Sequence, residues 1–311
     1  MHQPVGPGIG SALGVECIDA FMADVVRDTG ASICLLFLLP PGERVLQLVL
    51  VSGISRQLAA PWARIRMDAS SPVVDAMHHR HLVWLGNQEE MARRYPHEGI
   101  VLPYDFMLAA VPLIGGTLVW GGIVLAWPVS HSPQLSPQER DAATTCCRNV
   151  ADLLEQAADH GRPLLLPEEP RFLPPSPKAA DLPQAMAALD FTERLLVGCW
   201  ALDLDGRLTF INSAGADLVG ASAASLMGNR PWEVLPWLRD SLTEDRYRSA
   251  VITRQPTSFI AMCPPATPLL FQLYPSDSGI SIHLAPAVQQ EITTPQQAHS
   301  ANRSAQWLCT T

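Results

Sequence analysis

The chain has 311 residues, 48% of them hydrophobic and 16% charged, which is enough apolar material for about two domains and too much for a chain disordered throughout. Its 21 Lys and Arg against 30 Asp and Glu leave a net charge of −9, so it lacks the basic footprint that displaces counterions from phosphates, and nucleic-acid binding is not expected. The seven cysteines, at 17, 34, 146, 147, 199, 263 and 309, form no C-x-x-C pair, and reduced thiols in a cytoplasmic protein are expected.

The opening MHQPVGPGIG has no basic stretch leading into an apolar core, so no secretory signal is expected, and residues 1–14 read as a flexible arm. Ile18, Phe21, Met22, Val25 and Val26 recur at helical spacing, and Thr29-Gly30 ends that helix. ASICLLFLLP (31–40) reads as a strand, PPGE as a turn and RVLQLVLVSG (44–53) as the returning strand. Residues 54–62 suggest a short helix and 64–68 a brief strand. Ser71 before Pro72 predicts a capped helix start. HLVWLG (81–86) is the next strand, and NQEEMARRYP (87–96) a polar helix stopped by Pro96. The uncharged run 106–128 is long enough to span a bilayer. Pro112 and Gly115-Gly116-Thr117 break it into two strand-length halves, so a buried hairpin is expected instead, and no membrane association.

Ser136-Pro137-Gln138-Glu139 is a capping box that opens a helix running to about Asp159. Ala143, Cys146, Val150, Leu153 and Ala157 share one face of it. That stripe either packs on its own sheet or forms the relay seam of a homodimer. Residues 161–183 hold seven prolines in 23 positions and read as an extended linker with neither helix nor sheet ladder. A second unit, 184–286, begins with a helix at about 184–197 and a hairpin, GCWALDL and RLTFIN, turning at Asp205-Gly206. Helical patterns at 213–219 and 222–227, an irregular aromatic stretch at 229–238 and a helix at 242–254 follow. Strands at 257–263, 269–275 and 279–285 close the unit, and 287–311 read as a disordered tail. Each half is therefore α+β, an antiparallel sheet with helices on one face.

The first half, 15–160, resembles a GAF domain. The likeness rests on LLFLLPPGERVLQLVLVSG, on SSPVVDAMHHRHLVWLGNQEEMARRYP and above all on AAVPLIGGTLVWGGIVLAW. The second half resembles a PAS domain through ALDLDGRLTFINSAGADLVG: strand, Asp-Gly turn, strand ending in Asn, then helix. PWEVLPWL and YPSDSGISI are similar to sensory proteins of high-GC actinobacteria. There such modules are attached to a metal-dependent serine/threonine phosphatase or a histidine kinase. The resemblance implies small-molecule sensing, dimerisation and signal relay through helices.

Candidate pocket residues are Cys34, Trp84 and Met107 in the first half and Trp200, Phe210, Trp232, Phe259 and Phe271 in the second. The five aromatics either line a cavity or fill a core, and Cys34, central in its strand, also reads as core. No cofactor is specified, and no metal is expected. His78-His79-Arg80-His81 cannot converge on one ion, because adjacent helical residues project about 100° apart. Cys146-Cys147 would serve as a redox sensor only as accessible, low-pKa thiolates. The N-K-x-F-D-E signature of cyclic-nucleotide GAF sites, Gly-rich phosphate loops, G-x-S-x-G, H-E-x-x-H and the kinase motifs are all absent. His283 alternates with Ile282 and Leu284 and should face solvent. The reading is a regulatory input module without catalysis, binding an unidentified small molecule or signalling protein. The alternatives are the sensory part of a phosphatase or kinase and a protein–protein adaptor.

Overall fold

ICLLFL has no polar residue to mark a solvent face, and all six of its side chains are buried. It forms β1 (Ile33–Leu38), a central strand of the first domain. The computed structural model describes residues 12–161, 166–174 and 182–287. Helix α1 (Ala12–Thr29) precedes β1, and β2 (Val45–Ser52) returns antiparallel to it. Next come α2 (Arg56–Ala59), a 3-10 turn at Ala60–Trp62, β3 (Arg64–Arg66), α3 (Pro72–His79) and β4 (Val83–Leu85). Helices α4 (Gln88–Arg94) and α5 (Pro96–Val101) lead to the hairpin β5 (Phe106–Gly115) and β6 (Leu118–Pro128), and α6 (Pro137–Asp159) ends the domain. The strands lie in the order β3-β2-β1-β6-β5-β4.

Alternation sends the two faces of this sheet to two separate cores. Cys34, Leu125, Ala109 and Trp84 sit side by side across four strands and face α1 and α6. Ile33, Ala126, Leu108 and Leu85 form the next row and face the shorter helices α2 to α5. The 106–128 run is the expected hairpin, turning at Gly116-Thr117, with Gly116 at φ +52°. No described helix is long and apolar enough to cross a membrane.

Several elements depart from the sequence reading. Helix α1 starts at Ala12, inside the segment expected to be an arm. The polar helix ends before Pro96 as expected, at Arg94, but Pro96 also opens a further short helix, α5, where its missing N–H costs nothing. The proline-rich segment carries a two-residue strand, β7 (Arg171–Phe172), parallel to β2 at Leu50 and Val51, where β3 does not reach. An Arg171–Asp19 ion pair and the Arg56 guanidinium 4.8 Å over the Phe172 ring hold it there. The stretch 229–238, read as irregular, contains a short helix at Pro231–Val234 and a 3-10 turn at Pro236–Leu238.

The second domain starts with α7 (Leu182–Glu193), followed by the hairpin β8 (Gly198–Asp203) and β9 (Leu208–Ile211). Helices α8 (Ser213–Val219), α9 (Ala223–Leu226) and α10 (Pro231–Val234), a 3-10 turn at Pro236–Leu238, and α11 (Ser241–Thr253) lead to β10 (Thr257–Cys263), β11 (Thr267–Pro275) and β12 (Gly279–Pro286). The sheet order is β10-β11-β12-β8-β9. Asn212, 1% exposed, ties its start together. Its Oδ1 accepts from Gly215 N and Cys199 N, and its Nδ2 donates to the carbonyls of Thr192 and Val197. The tail beyond Ala287 lies outside the described residues.

The capping box opens α6 as the sequence predicts: Ser136 Oγ accepts from Glu139 N and Glu139 Oε2 accepts from Ser136 N. His131 adds a 2.8 Å contact to Glu139 Oε1. Burial alone would raise the Glu139 carboxyl, but the bonds from His131 and Ser136 outweigh it and hold the group below the ordinary carboxylate value. Glu139→Gln should therefore cost about 1 kcal/mol at neutral pH, by analogy with lost caps. The difference from wild type should shrink as pH falls through the depressed folded-state pKa, because the native carboxylate is then protonated too. Urea unfolding of both proteins between pH 7 and pH 3 measures this.

Candidate functional site

The side of the first sheet that faces α2 to α5 encloses a cavity of about 70 Å³. Its floor is Ile33, Leu35 and Phe37 of β1 with Phe106, Leu108, Val124 and Ala126 of β5 and β6. Its walls come from Leu58, Trp62 and Ile65, from Pro72 and Val73 at the start of α3, and from Met91 and Leu102. Two polar side chains, Ser71 and Glu98, interrupt this apolar lining.

Glu98 is 9% exposed, in the first turn of α5. Its Oε2 accepts a 2.6 Å hydrogen bond from Trp62 Nε1. Among the described residues no donor reaches its other oxygen, which leaves acceptor capacity beside the cavity. The turn that aims Glu98 depends on Gly99. A Cβ there would lie 2.7 Å from Ala92 Cα, so only glycine lets α5 pack this closely on α4. Gln88 reinforces the turn by donating to the carbonyls of Gly99 and Leu102. Ser71 precedes α3 with extended backbone but makes no capping bond. The expected cap is not formed, and this buried serine instead lines the cavity.

The second domain holds a much smaller space, about 20 Å³, among Trp200, Trp232, Phe259, Phe271 and their neighbours. Phe259 and Phe271 stack with centroids 4.9 Å apart, and Trp200 meets Phe271 edge-on at 5.9 Å. These four candidates come together, and they fill the core rather than line a chamber. Phe210 does not join them. It pairs with Ala201, a register that places it on the opposite face of the sheet from Trp200.

The three candidates in the first domain also lie away from its cavity. Cys34 and Met107 are buried against α1 and α6, and Trp84 packs edge-on against Trp127 at 5.5 Å while donating to the Pro133 carbonyl. All three occupy the other face of the sheet. On α6, Ala143, Cys146 and Val150 are buried in that same core, and Leu153 packs partly buried against it. Ala157 is half-buried at the end of the helix. The stripe thus packs on its own domain and offers no seam through its buried members. His78, His79 and His81 are exposed around the end of α3, and His283 meets Gln272 across the outer face of the second sheet.

The sequence of the second domain matches the PAS fold family over residues 192–289. The first domain sets an antiparallel sheet in the order β3-β2-β1-β6-β5-β4 between two layers of helices. The second domain has the PAS fold, and the first has a GAF-like fold. Solved structures similar to the GAF half include the GAF domain/HD domain protein from Geobacter sulfurreducens, at 15% identity over 49% of this chain and 97% of that one, with a TM-score of 0.42. Another is the GAF-B domain of DevS from Mycobacterium smegmatis, at 16% identity over 48% of this chain and 98% of that one, with a TM-score of 0.38. The PAS half is similar to the PAS domain of an HTR-like protein from Haloarcula marismortui, at 13% identity over 34% of this chain and 98% of that one, with a TM-score of 0.28. These are likenesses of fold. No curated protein matches the chain.

The cysteines of the GAF core are unsuited to redox sensing. Desolvation by burial pushes the Cys146 thiol up to about 12 and raises Cys34 and Cys147 well above the ordinary thiol value. A thiol must ionise to react. Iodoacetamide at pH 8 should therefore label exposed Cys17 and leave Cys34, Cys146 and Cys147 unmodified until urea is added. Peptide mass mapping before and after denaturation reads this out.

Proposed function

We propose that the chain is a sensory input module whose ligand chamber lies in the GAF domain, and that it carries no catalytic chemistry of its own. The observation that carries this reading is the contrast between the two interiors: about 70 Å³ open in the GAF domain and about 20 Å³ in the PAS domain. The GAF chamber fits a compact, mainly apolar molecule that presents one hydrogen-bond donor to Glu98. Apolar lining supplies affinity, and a few placed polar groups supply orientation. The second Glu98 oxygen accepts no bond among the described residues, so a ligand that carries a donor is favoured over one that does not.

Native mass spectrometry of freshly purified protein, beside its denatured mass, tests the reading. A small adduct lost on denaturation is expected, and Glu98→Gln should lower its occupancy about tenfold or more, the weight of one hydrogen bond to a charged group. Ligand-free protein that also gains no thermal stability from a library of small apolar alcohols, amines and phenols would count against the chamber.

We also assign self-association to α7 rather than α6. Leu182, Met186, Leu189 and Phe191 are all exposed on α7, and its Asp190 is paired with Arg194. A helix apolar on several sides needs a partner. A second copy of α7 matches the apolar face formed by Leu182, Met186 and Leu189. Light scattering should find a dimer for the wild type and a monomer for Met186→Asp/Leu189→Asp; a variant that remains dimeric removes α7 from the interface.

A further inference from the structure

One wall of the GAF chamber does not belong to the GAF domain. Ile252, near the end of α11 in the PAS domain, lines the chamber and is 3% exposed. Around this contact the PAS domain is fastened to the chamber's surroundings by polar groups. Arg254 Nη2 donates to the carbonyls of Gly53 at 2.8 Å and Ser32 at 3.4 Å, while Nη1 donates to its own domain at Ser276. Tyr104 OH donates to Asp245 Oδ1 at 2.8 Å, and Gln57 meets Glu244 at 3.5 Å. The two carbonyls are presented together because Gly53 has no side chain: a Cβ would sit 1.9 Å from Ser32 O. Arg254 itself holds the left-handed cap of α11 at φ +53°, which directs the guanidinium off the helix end.

We propose that α11 of the PAS domain is the lid of the GAF chamber, and that Ile252 and Arg254 set the chamber's affinity for its apolar ligand. This rests on the reading of the chamber as a ligand site. The other walls are sheet and helices of one domain, and Ile252 joins their buried cluster from the other. The α11 wall is one aliphatic side chain held by hydrogen bonds that water can replace. A molecule larger than the chamber therefore finds its room by lifting α11, whereas one small enough to fit is held more tightly with α11 in place. Occupancy and domain contact become linked, and linkage is reciprocal: whatever loosens the PAS contact changes binding in the GAF domain by the same factor.

Xenon is a suitable probe, since closed apolar cavities admit it. The full chain, labelled at isoleucine δ1 methyls, is titrated with xenon and followed by NMR. The methyls of Ile33, Ile54 and Ile65 in the GAF domain and of Ile252 in the PAS domain should shift with one shared dissociation constant. Arg254→Gly removes the guanidinium while keeping a residue suited to the left-handed cap. It should weaken xenon binding at least about fivefold, the lower range of such couplings. If the three GAF isoleucines respond and Ile252 does not, or if Arg254→Gly leaves the titration unchanged, the lid is refuted and the chamber stands. If none of the four responds, the chamber itself is refuted.

Discussion

Every side chain of Ile33–Leu38 is buried, and the neighbours on its two sides are different. The odd positions meet short helices around the chamber, and the even positions meet the two long helices α1 and α6. The functional anatomy of the GAF domain follows from this division. A strand has a period of two, so a shift of one residue exchanges a chamber wall for a packed core. β5 and β6 obey the same division, which is how residues from three strands converge on one small space.

A sheet covered on both faces loses the polarity alternation that would identify them. That is why the elements were legible and the chamber was not. ICLLFL and AAVPLIGG are recognisable as strands, and Pro112 with Gly115 and Gly116 is enough to reject a membrane helix. Nothing in those runs says whether Cys34 or Leu35 faces the gap, and Cys34, Trp84 and Met107 were all one position out of phase with it. The PAS sheet has one exposed face and alternates, so the pattern carries Trp200, Phe259 and Phe271 to one face, while Phe210, paired with Ala201, lies on the other. Glu98 carried a faint signal, a lone acid in an apolar turn after Pro96. Ile252 carried none, because its role arises from contact between domains.

The two domains divide the work of packing differently. The PAS interior is closed by stacked aromatic rings and by an asparagine that satisfies four backbone groups at once. In the GAF interior Trp62 turns its indole N–H to Glu98, and Gly99 lets α5 pack closely on α4. The tryptophan N–H satisfies one carboxylate oxygen of Glu98 at 2.6 Å.

The strand β7 bears on how far the domains can part. Its pairing fixes the chain to the GAF sheet through Leu173, whose N–H also reaches the Val51 carbonyl. The next described element, α7, begins at Leu182 and is fastened to the PAS core through Asn212. From Leu173 to the start of α7 the chain has nine residue steps, at most about 32 Å at roughly 3.6 Å per residue, and α7 adds its own length before the anchor at Thr192. A PAS domain released from the GAF surface therefore stays at an effective concentration on the order of millimolar. Re-engagement is unimolecular, and its equilibrium is independent of how much of the protein is made. A signal carried by that contact keeps its set point through changes in expression that would shift any response resting on dimer assembly alone.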